Sequence, residues 1–553
     1  MALLELIENV SPQSSMFLGV LVFALGAYLV SVVMRIGSRP AHMPPGPPTV
    51  PFWGNLKQLT GSFYPEHIYT EWAKTYGPVF TVMKGSQPWI IVTGAKEANE
   101  IFHKQGQVTA GRPSSKMELA MRSGFWPQFM YGPKWRVARK LWHAVLNVGA
   151  SRQYRPLQEL EAKQLLADVA RDGKGWRAHV ERYAASLAMT LMNGQRITAS
   201  KDPAVDEIID DLAEFMDHYN RTAWLDKLPG FWTLPEWTIP ARRKASRIAA
   251  DHLVLILRHW NATKDRLANG LSLPCFNRSI MERLKQSDLA GRVSENEAAE
   301  IGELLVTAAT ETTSSTLKNW IAAMIMFPDV QKKAKEEIDR VVGPDRLPDD
   351  TDAVNLPYVR QVIQETHRWL TAVPLGIFHA TTEPITWRQH VIPAGTPLVL
   401  NAYGIHRDPA LYPNPLAFDP DRWAGKLEAA SELADDRVGA RSEALYAFGA
   451  GRRVCPGQHV AEQGLFLAVA RWLWAFDTEK AYEGQVVDTN SYKPGIVAGL
   501  EEFDAVVRPR SAEKKLIAEA LWEKDRKEFL DEKGQWCKSP QGVENVMKKA
   551  VGF

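Results

Sequence analysis

The chain has 553 residues, which exceeds a typical single domain, so its length alone allows more than one domain. Charged residues make up 24% of the chain and the net charge is +2, which excludes a strongly basic, nucleic-acid-binding class of protein. The three cysteines, at positions 275, 455 and 537, are too few for a disulfide framework and suit the cytosolic side of a membrane.

Residues 16–34 form an uncharged, mostly apolar run that is long enough to cross a bilayer as a helix. A cleaved signal peptide would have a basic N-terminal flank and a shorter apolar run, and a buried core helix is usually shorter and amphipathic. The bases Arg35 and Arg39 follow the run, so the positive-inside rule predicts residues 1–15 in the lumen and the body in the cytoplasm. The sequence therefore predicts a transmembrane anchor at 16–34.

The body after the anchor is predicted to be mainly helical with a small β part. The stretch PPGPP is stiff and extended, so we assign residues 35–52 to a linker. A β-type pattern broken by a turn predicts a hairpin at 80–93, and strand patterns return at 385–400 and 503–507. Helical periodicity dominates between them, and no repeat divides the segment 53–510.

Residues 228–237 (LPGFWTLPEW) are broken by prolines and rich in aromatic side chains. The bases Arg242, Arg243 and Lys244 follow. An apolar wedge beside bases is typical of contact with a membrane interface, although proline-bounded aromatic residues also pack inside proteins. We expect this stretch to touch the membrane, with a buried loop as the alternative.

Two motifs in the helical part carry chemistry-bearing residues. Trp135 and Arg139 are four positions apart, hence on one helical face, where they can hold a carboxylate together; a packed surface pair is the common alternative. The stretch AATETT at 308–313 places Glu311 and Thr312 inside an apolar helical run. A buried carboxylate costs free energy unless it is paired, which indicates a role in proton handling, whereas threonines in helices often only bond the carbonyl four residues back.

Glu365 and Arg368 stand three positions apart on a predicted helix and can reach each other. Most pairs of this kind are weak surface ion pairs. The spacing alone therefore leaves a structural and a surface role open.

The stretch FGAGRRVCPG at 448–457 sets Cys455 in a glycine-rich, cationic loop before a helix-compatible run. Backbone N–H groups and the positive end of the helix dipole favour its thiolate. Gly449 and Gly451 allow a tight turn close to a flat ligand, and Pro456 stands where a helix start leaves a donor unpaired. A dinucleotide loop is disfavoured because Val454 takes the place of the third small residue. These are the properties of a proximal ligand to haem iron.

In chain order these motifs resemble those of the cytochrome P450 family, the cysteine loop most closely. The resemblance covers residues 44–510, and the wording at 234–237, 374–376 and 447–449 is similar to fungal secondary-metabolism P450s of the O-methylsterigmatocystin oxidoreductase kind. It implies the P450 fold, mainly α with a small β part, preceded by a single N-terminal transmembrane helix. It also implies haem b as the cofactor, with Cys455 as the axial ligand of the iron.

The resemblance implies roles for residues outside the loop as well. Thr312 would act in oxygen activation and Glu311 in proton relay, and Ala309 stands where the family usually has glycine. Arg422, in the stretch FDPDRW, would join Glu365 and Arg368 in a charge network that braces the cysteine loop. The residues implied to contact the haem are Trp135, Arg139, His379, Phe448 and Arg453. The residues expected at the substrate pocket are Phe125, Trp126, Phe129, Ala308 and Phe378.

The predicted function is a haem-thiolate monooxygenase that oxidises a lipophilic small molecule with O2. Its electrons would come from NADPH through NADPH–cytochrome P450 reductase, with cytochrome b5 as a second candidate donor and no nucleic-acid partner. The resemblance places the chain in the endoplasmic reticulum membrane as a single-pass protein with a cytoplasmic catalytic domain. Two alternatives stay open: a P450 that couples, closes rings or desaturates without oxygen insertion, and a haem sensor or carrier without turnover. Glu311 argues against the carrier, which needs no buried proton relay.

Residues 511–553 lie beyond the family's usual end. Their Glu/Lys/Ala/Leu-rich start predicts an amphipathic helix with opposite charges at i,i+4 spacing. We expect this helical extension to pack on the outer surface without a chemical role, and its removal to leave the haem site intact.

Overall fold

The structure is a computed structural model. It describes residues 12–60, 64–113, 115–227, 231–270, 273–285, 289, 291–426, 445–493, 495–540 and 542–551. Residues 1–11 of the predicted lumenal segment and residues 228–230 of the predicted membrane contact lie outside this range.

Helices dominate the described chain, as predicted. The first group is α1 (Pro12–Arg35), α2 (Leu56–Leu59), α3 (Pro65–Tyr76), α4 (Ala95–Ala98), α5 (Lys116–Ala120), α6 (Pro133–Leu146), α7 (Val148–Gln153), α8 (Arg155–Arg171), α9 (Trp176–Asn193) and α10 (Pro203–Thr222). The second is α11 (Pro240–Ala268), α12 (Phe276–Lys285), α13 (Glu295–Met326), α14 (Pro328–Val341), α15 (Pro357–Trp369), α16 (Ala402–Ile405), α17 (Gln458–Ala475), α18 (Ala512–Phe529) and α19 (Val543–Val551). Several begin on proline, which costs nothing there because the first helical N–H has no intrahelical acceptor.

The β part is small. Its strands are β1 (Val79–Lys84), β2 (Gln87–Val92), β3 (His379–Ala380), β4 (Ile385–Trp387), β5 (His390–Ile392), β6 (Pro397–Leu400), β7 (Phe476–Lys480) and β8 (Ala505–Pro509). One sheet has the order β1-β2-β6-β3, in which β2 and β6 are parallel and the other pairs antiparallel; β4-β5 and β7-β8 form separate two-stranded ribbons. The predicted hairpin is β1-β2, and the strand expected at 503–507 begins two residues later, at Ala505.

Helix α13 is the central element of the helical part. It begins at a capping box in which Ser294 and Glu297 satisfy each other's backbone N–H groups, and it ends before Pro328, which cannot continue it. Its second half is buried on most sides, with Trp320 against Trp472 of α17 at 5.9 Å between ring centroids. Packing therefore holds two helices in place: α13, which contains Glu311 and Thr312, and α17, which follows Cys455.

The predicted span at 16–34 lies within helix α1. Its apolar side chains are open to solvent, among them Phe17 at 72% and Phe23 at 77% exposure. Among the residues that the structure describes, no helix is both long and apolar enough to cross a membrane. The transmembrane anchor stays a prediction.

The C-terminal extension packs more deeply than the sequence suggested. Trp522 of α18 and Trp536 beyond it are buried and belong to the same apolar cluster as the interior of helices α6 to α9. Arg196 fastens the segment further, since its guanidinium donates to the carbonyl of Gly534 at 2.7 Å. Part of the interior of the body is therefore built by the extension, which does not merely lie on its outer surface.

Trp522→Ala is consequently expected to destabilise the protein by about 3–5 kcal/mol, because it leaves a cavity in a packed interior. Urea unfolding of the purified full chain measures the loss. Leu516→Ala on the same helix is the control: its side chain is 65% exposed, and such substitutions change stability by less than about 0.5 kcal/mol. If the two variants were equally stable, the extension would not contribute to the interior and would be dispensable, as expected from the sequence.

Candidate functional site

Cys455 lies between a short turn at Gly451–Arg453 and the start of α17. Its backbone N–H donates to the carbonyl of Phe448 at 2.9 Å, which closes the loop. Gly451 has a φ of +59°, and a Cβ there would lie 2.0 Å from the carbonyl oxygen of Phe102, so only glycine fits. The loop is thus tightly determined by its own sequence.

The thiol faces the donors that the sequence predicted. Backbone N–H groups of Gly457 and Gln458, together with the charge of Arg139, favour its thiolate. Burial has the larger effect, however, and the pKa of Cys455 is raised above its usual value. A bound metal ion would reverse that balance, because a coordinating thiol loses its proton to the metal's charge.

Three guanidinium groups converge beside this thiol. They belong to Arg139 of α6, Arg453 of the cysteine loop and Arg112, which the sequence analysis did not identify. Burial lowers the pKa of Arg453, and the charges of Arg112 and Arg139 lower it further. The ring of Trp135 covers the Arg453 guanidinium at 3.9 Å. Arg139 thereby joins the arginine cluster to the thiol.

His379 lies in the same cluster, on strand β3. Its Nδ1 is 2.8 Å from the carbonyl oxygen of Thr109, and burial together with Arg112 holds its pKa well below the usual value. The carboxyl group of Glu118 interacts electrostatically with Arg112, but burial raises the pKa of Glu118 to about 9, so it is protonated at neutral pH. The three arginines of the cluster are therefore partly buried cations that need external anions.

A haem fits this arrangement. Its two propionates would supply the negative charges beside Arg112, Arg139 and Arg453, and its iron would take a soft thiolate ligand from Cys455. Phe448, predicted at the haem, lies in the loop with its ring 5.0 Å from that of His367. The residues predicted to contact the cofactor are thus brought together around one site.

A cavity on the other side of the site follows one face of helix α13. Ala308, Glu311 and Thr312 line it, as does Trp126, whereas Ala309 packs toward the protein interior. Ala309, which replaces the family's usual glycine, is not among the described residues that line the cavity. Thr312 donates its hydroxyl to the carbonyl oxygen of Ala308 at 2.7 Å, the local bond common for threonine in helices.

Two other aromatic residues expected at the pocket, Phe125 and Phe378, are not among the described residues that line it. Phe125 packs in the interior, with the amino group of Lys134 5.7 Å from its ring. Phe378 meets the ring of Trp89 edge-on at 5.1 Å, and the preceding Ile377 lines the cavity instead. Both residues lie in the irregular segment before the strand at His379–Ala380, so no strand pattern in the sequence indicates which of them faces the cavity. The side chain of Phe129 lies outside the described residues.

Glu311 is the titratable group closest to Thr312 along the cavity wall. Burial raises its pKa to about 7, against the opposing charges of Lys318 and Lys493. It can therefore exchange protons near neutral pH, which fits the predicted relay.

The raised pKa gives a test through stability. The pKa of Glu311 is 4.5 in an unfolded chain and about 7 in the native state. Between these two pH values the native state keeps a proton that the unfolded state has released. The free energy of unfolding should therefore fall as pH rises through this window. Glu311→Gln removes this titration. From pH 5 to pH 8 the free energy of unfolding of the variant should therefore rise by about 2 kcal/mol relative to that of the wild type, after allowing for solvent screening of a partly exposed group. Urea unfolding at both pH values measures the difference, and a pH-independent difference would contradict a buried, titrating Glu311.

The predicted charge network is present, with Glu365 and Arg368 completely buried and the Arg422 side chain 8% exposed. Glu365 accepts two hydrogen bonds from Arg368, at 2.7 and 2.9 Å, and one from Arg422 at 3.0 Å. The indole of Trp423 donates to its second oxygen at 2.9 Å. Both oxygens of the carboxylate are thus saturated by donors that water cannot replace.

A chain of hydrogen bonds joins this network to the cysteine loop. Arg368 donates to the carbonyl of His406 at 2.8 Å, and the His406 ring accepts the backbone N–H of Tyr446 at 2.9 Å. The carbonyl of Tyr446 accepts the N–H of Gly449 at 3.0 Å. Gly449 is bonded covalently to Phe448, whose carbonyl accepts the backbone N–H of Cys455. The charge network is therefore connected to the cysteine loop by hydrogen bonds, as the sequence suggested. His406 takes part in this connection, although no sequence motif indicated it.

Comparison with known proteins agrees with this geometry. The family model of cytochrome P450 matches residues 44–503. Cytochrome P450 monooxygenase alnH of Emericella nidulans is 46% identical over 97% of both chains. Cytochrome P450 monooxygenase virE of Hypocrea virens is 33% identical over 94% of this chain and 95% of its own, and cytochrome P450 monooxygenase fogE of Aspergillus ruber is 34% identical over 92% and 94%.

Proposed function

The chain belongs to the cytochrome P450 family and is a haem-thiolate monooxygenase, and we propose that its substrate is a lipophilic small molecule of fungal secondary metabolism. The observation that carries the assignment is Cys455, held by backbone donors beside three partly buried arginines that need anions. The apolar cavity along α13 supports a lipophilic substrate.

We propose haem b as the bound group. Cys455 would ligate its iron, and Arg112, Arg139 and Arg453 would hold its propionates. When bound, a thiolate-ligated haem supplies the oxidising chemistry that inserts oxygen from O2 into unactivated C–H bonds. The protein binds and orients the substrate in the cavity, keeps water out with apolar walls, and holds exchangeable protons at the Glu311 carboxyl and the Thr312 hydroxyl.

Two measurements test this function. The reduced protein with carbon monoxide should show the red-shifted Soret band of thiolate ligation, and with NADPH and reductase it should convert substrate to a product with one more oxygen atom. Thr312→Ala should keep the band but yield less product per NADPH. A product without the added oxygen would favour coupling or desaturation, and no NADPH-dependent product at all would favour a carrier.

For the electron source we propose NADPH–cytochrome P450 reductase, with cytochrome b5 as a second donor. Family membership supports the requirement for a redox partner. Arg452 lies exposed in the cysteine loop and offers positive charge to an acidic partner next to the thiol ligand.

We also propose that the protein is held at the endoplasmic reticulum membrane with its catalytic domain in the cytoplasm. The exposed apolar side chains of α1 support attachment there, and so does the proline-broken stretch between α10 and α11. In that stretch Phe231 is buried, whereas Leu234 and Trp237 are 52% and 74% exposed. Leu234 and Trp237, rather than Phe231, are therefore the side chains that would enter an interface.

Removal of residues 1–35 is expected to leave partial binding to vesicles that contain anionic lipid. Leu234→Asp combined with Trp237→Asp should then abolish it, because charge replaces the remaining exposed apolar surface. Vesicle co-sedimentation measures both steps. Val354→Asp combined with Leu416→Asp, at positions 72% and 73% exposed elsewhere, is the matched control and should bind like its parent. Complete solubility of the truncated protein before any substitution would exclude the second contact.

A further inference from the structure

The cavity ends, far from Thr312, at a buried ionic chain contributed by four different elements. Arg122, just after α5, pairs with Asp211 of α10 at 2.9 Å. His252 of α11 lies 3.0 Å from Asp211 through Nδ1 and 2.6 Å from Glu300 of α13 through Nε2. All four residues line the cavity. Burial of four ionisable groups is costly, and the mechanism assigns none of them a role.

Arg122 has a donor left over. Its guanidinium lies against the rings of Phe215 and Trp126, at 4.6 and 5.1 Å, and only 4% of the residue is exposed. One terminal nitrogen is bound to Asp211, but its Nε has no hydrogen-bond partner within the described part of the chain. Buried donors are almost always paired, so an unpaired donor on a side chain that lines the cavity points to a ligand acceptor.

Charge balance limits what that acceptor can be. Burial, the largest single effect, favours neutral His252, but the charge of Glu300 and the hydrogen bonds to Asp211 and Glu300 together outweigh it and raise the pKa of His252 to about 9. At neutral pH the chain therefore holds two cations, Arg122 and His252, and two anions, Asp211 and Glu300. A ligand carboxylate would add an uncompensated buried charge, whereas a carbonyl or hydroxyl oxygen would not.

The cavity wall also sets the length of the ligand. Glu300 and Ala308 are eight residues apart on one face of α13, which corresponds to about 12 Å along the helix axis. Between these two ends the wall is apolar and includes Leu212 and Leu304. The oxygen-binding end and the reactive end are thus separated by an apolar stretch.

We propose that Arg122 Nε donates a hydrogen bond to a neutral oxygen at one end of an elongated, lipophilic substrate, so that the opposite end lies beside Ala308 and Thr312. The substrate class is therefore an apolar chain or ring system with a carbonyl or hydroxyl group remote from the oxidised carbon. Arg122 is a specificity-determining residue in this scheme, and Asp211, His252 and Glu300 hold its charge and orientation. The proposal rests on the monooxygenase function proposed above.

The test uses 2-undecanone, undecane and undecanoate as probes, with binding followed by the substrate-induced shift of the haem spectrum. A hydrogen bond from a charged donor contributes about 1.5–3 kcal/mol, so the ketone should bind the wild type at least about 10-fold more tightly than the alkane. The carboxylate should bind more weakly than the ketone. Equal binding of ketone and alkane, or binding of neither, overturns the proposal.

Arg122→Leu should reduce the preference for ketone over alkane to about one. Leu304→Ala is the matched control: it removes apolar contact and should weaken both probes while leaving their ratio unchanged. A preserved ketone preference in Arg122→Leu overturns the proposal. Each preparation is first checked by the carbon monoxide difference spectrum, so that absence of the band in the wild type, a failure of the proposed function, is separated from absence of the preference.

If Arg122→Leu yields no haem protein, the position at which the wild type oxidises the two neutral probes still tests the proposal. With NADPH and reductase, 2-undecanone should be oxidised mainly near the end remote from its carbonyl, and undecane without that bias. Oxidation next to the carbonyl would contradict anchoring at Arg122.

Discussion

Cys455→Ser is expected to abolish the red-shifted Soret band of the reduced carbon monoxide complex and all NADPH-dependent product formation. The hydroxyl is of similar size and can still accept the N–H groups of Gly457 and Gln458 that now face the thiol. The loop should therefore keep its shape. What is lost is the soft, electron-donating ligand, which a serine oxygen does not replace.

The other two cysteines are the controls for this experiment. Cys275 is completely buried and its pKa is raised to about 11, chiefly by burial, so it is an inert interior residue. Cys537 is exposed. Cys275→Ala and Cys537→Ser should both retain the band, and a retained band in Cys455→Ser would refute the assignment of the ligand.

Local sequence was sufficient to predict those parts of the fold and site that depend on short-range geometry. The β1-β2 hairpin, the cysteine loop with its following helix, and the pair of Glu365 and Arg368 all lie within a few residues of their own partners. Glycine at 451 is favoured by the local backbone itself, since its φ of +59° strains any other residue. Such constraints are visible as residue types at fixed spacing.

The missed residues act through partners distant in the chain. Arg112 contributes to the anion site only because the β sheet brings residues 377–379 beside it, where it donates to the carbonyl of Phe378 at 2.7 Å. His406 joins Arg368 to the cysteine loop across about forty positions, and nothing in its neighbourhood marks it. The choice between Ile377 and Phe378 at the cavity depends on the path of the irregular segment that precedes the strand at His379–Ala380. No single-sequence pattern contains that information.

The extension illustrates a further limit. Its Lys- and Glu-rich start is correctly predicted as a helix, α18, but the few apolar residues on it are the ones that matter. Trp522 and Trp536 complete an interior that the preceding domain leaves unfinished. Amphipathic composition predicts a surface helix without indicating how much of the core its apolar face supplies.

Glu365→Ala is expected to prevent accumulation of folded haem protein. It leaves the guanidiniums of Arg368 and Arg422 without their shared anion, at side-chain exposures of 0% and 8%, and orphans the indole N–H of Trp423. Removing one member of a buried ion pair costs about 3–5 kcal/mol, and here a single carboxylate serves both cations. Since whole domains are stable by only about 5–15 kcal/mol, most of the margin is lost.

Glu71→Ala is the matched control, because Glu71 also pairs with a base three residues along a helix, Lys74, but at exposures of 67% and 68%. Its loss should cost less than about 1 kcal/mol. The comparison is made by the yield of the carbon monoxide difference band per unit of expressed chain, together with urea unfolding where protein is obtained. Glu365→Gln should retain part of the hydrogen bonding and recover some haem protein, since its amide oxygen can still accept. If Glu365→Ala and Glu71→Ala gave equal yields, the network would be a passive feature of the interior, and the path through His406 would not brace the ligand loop.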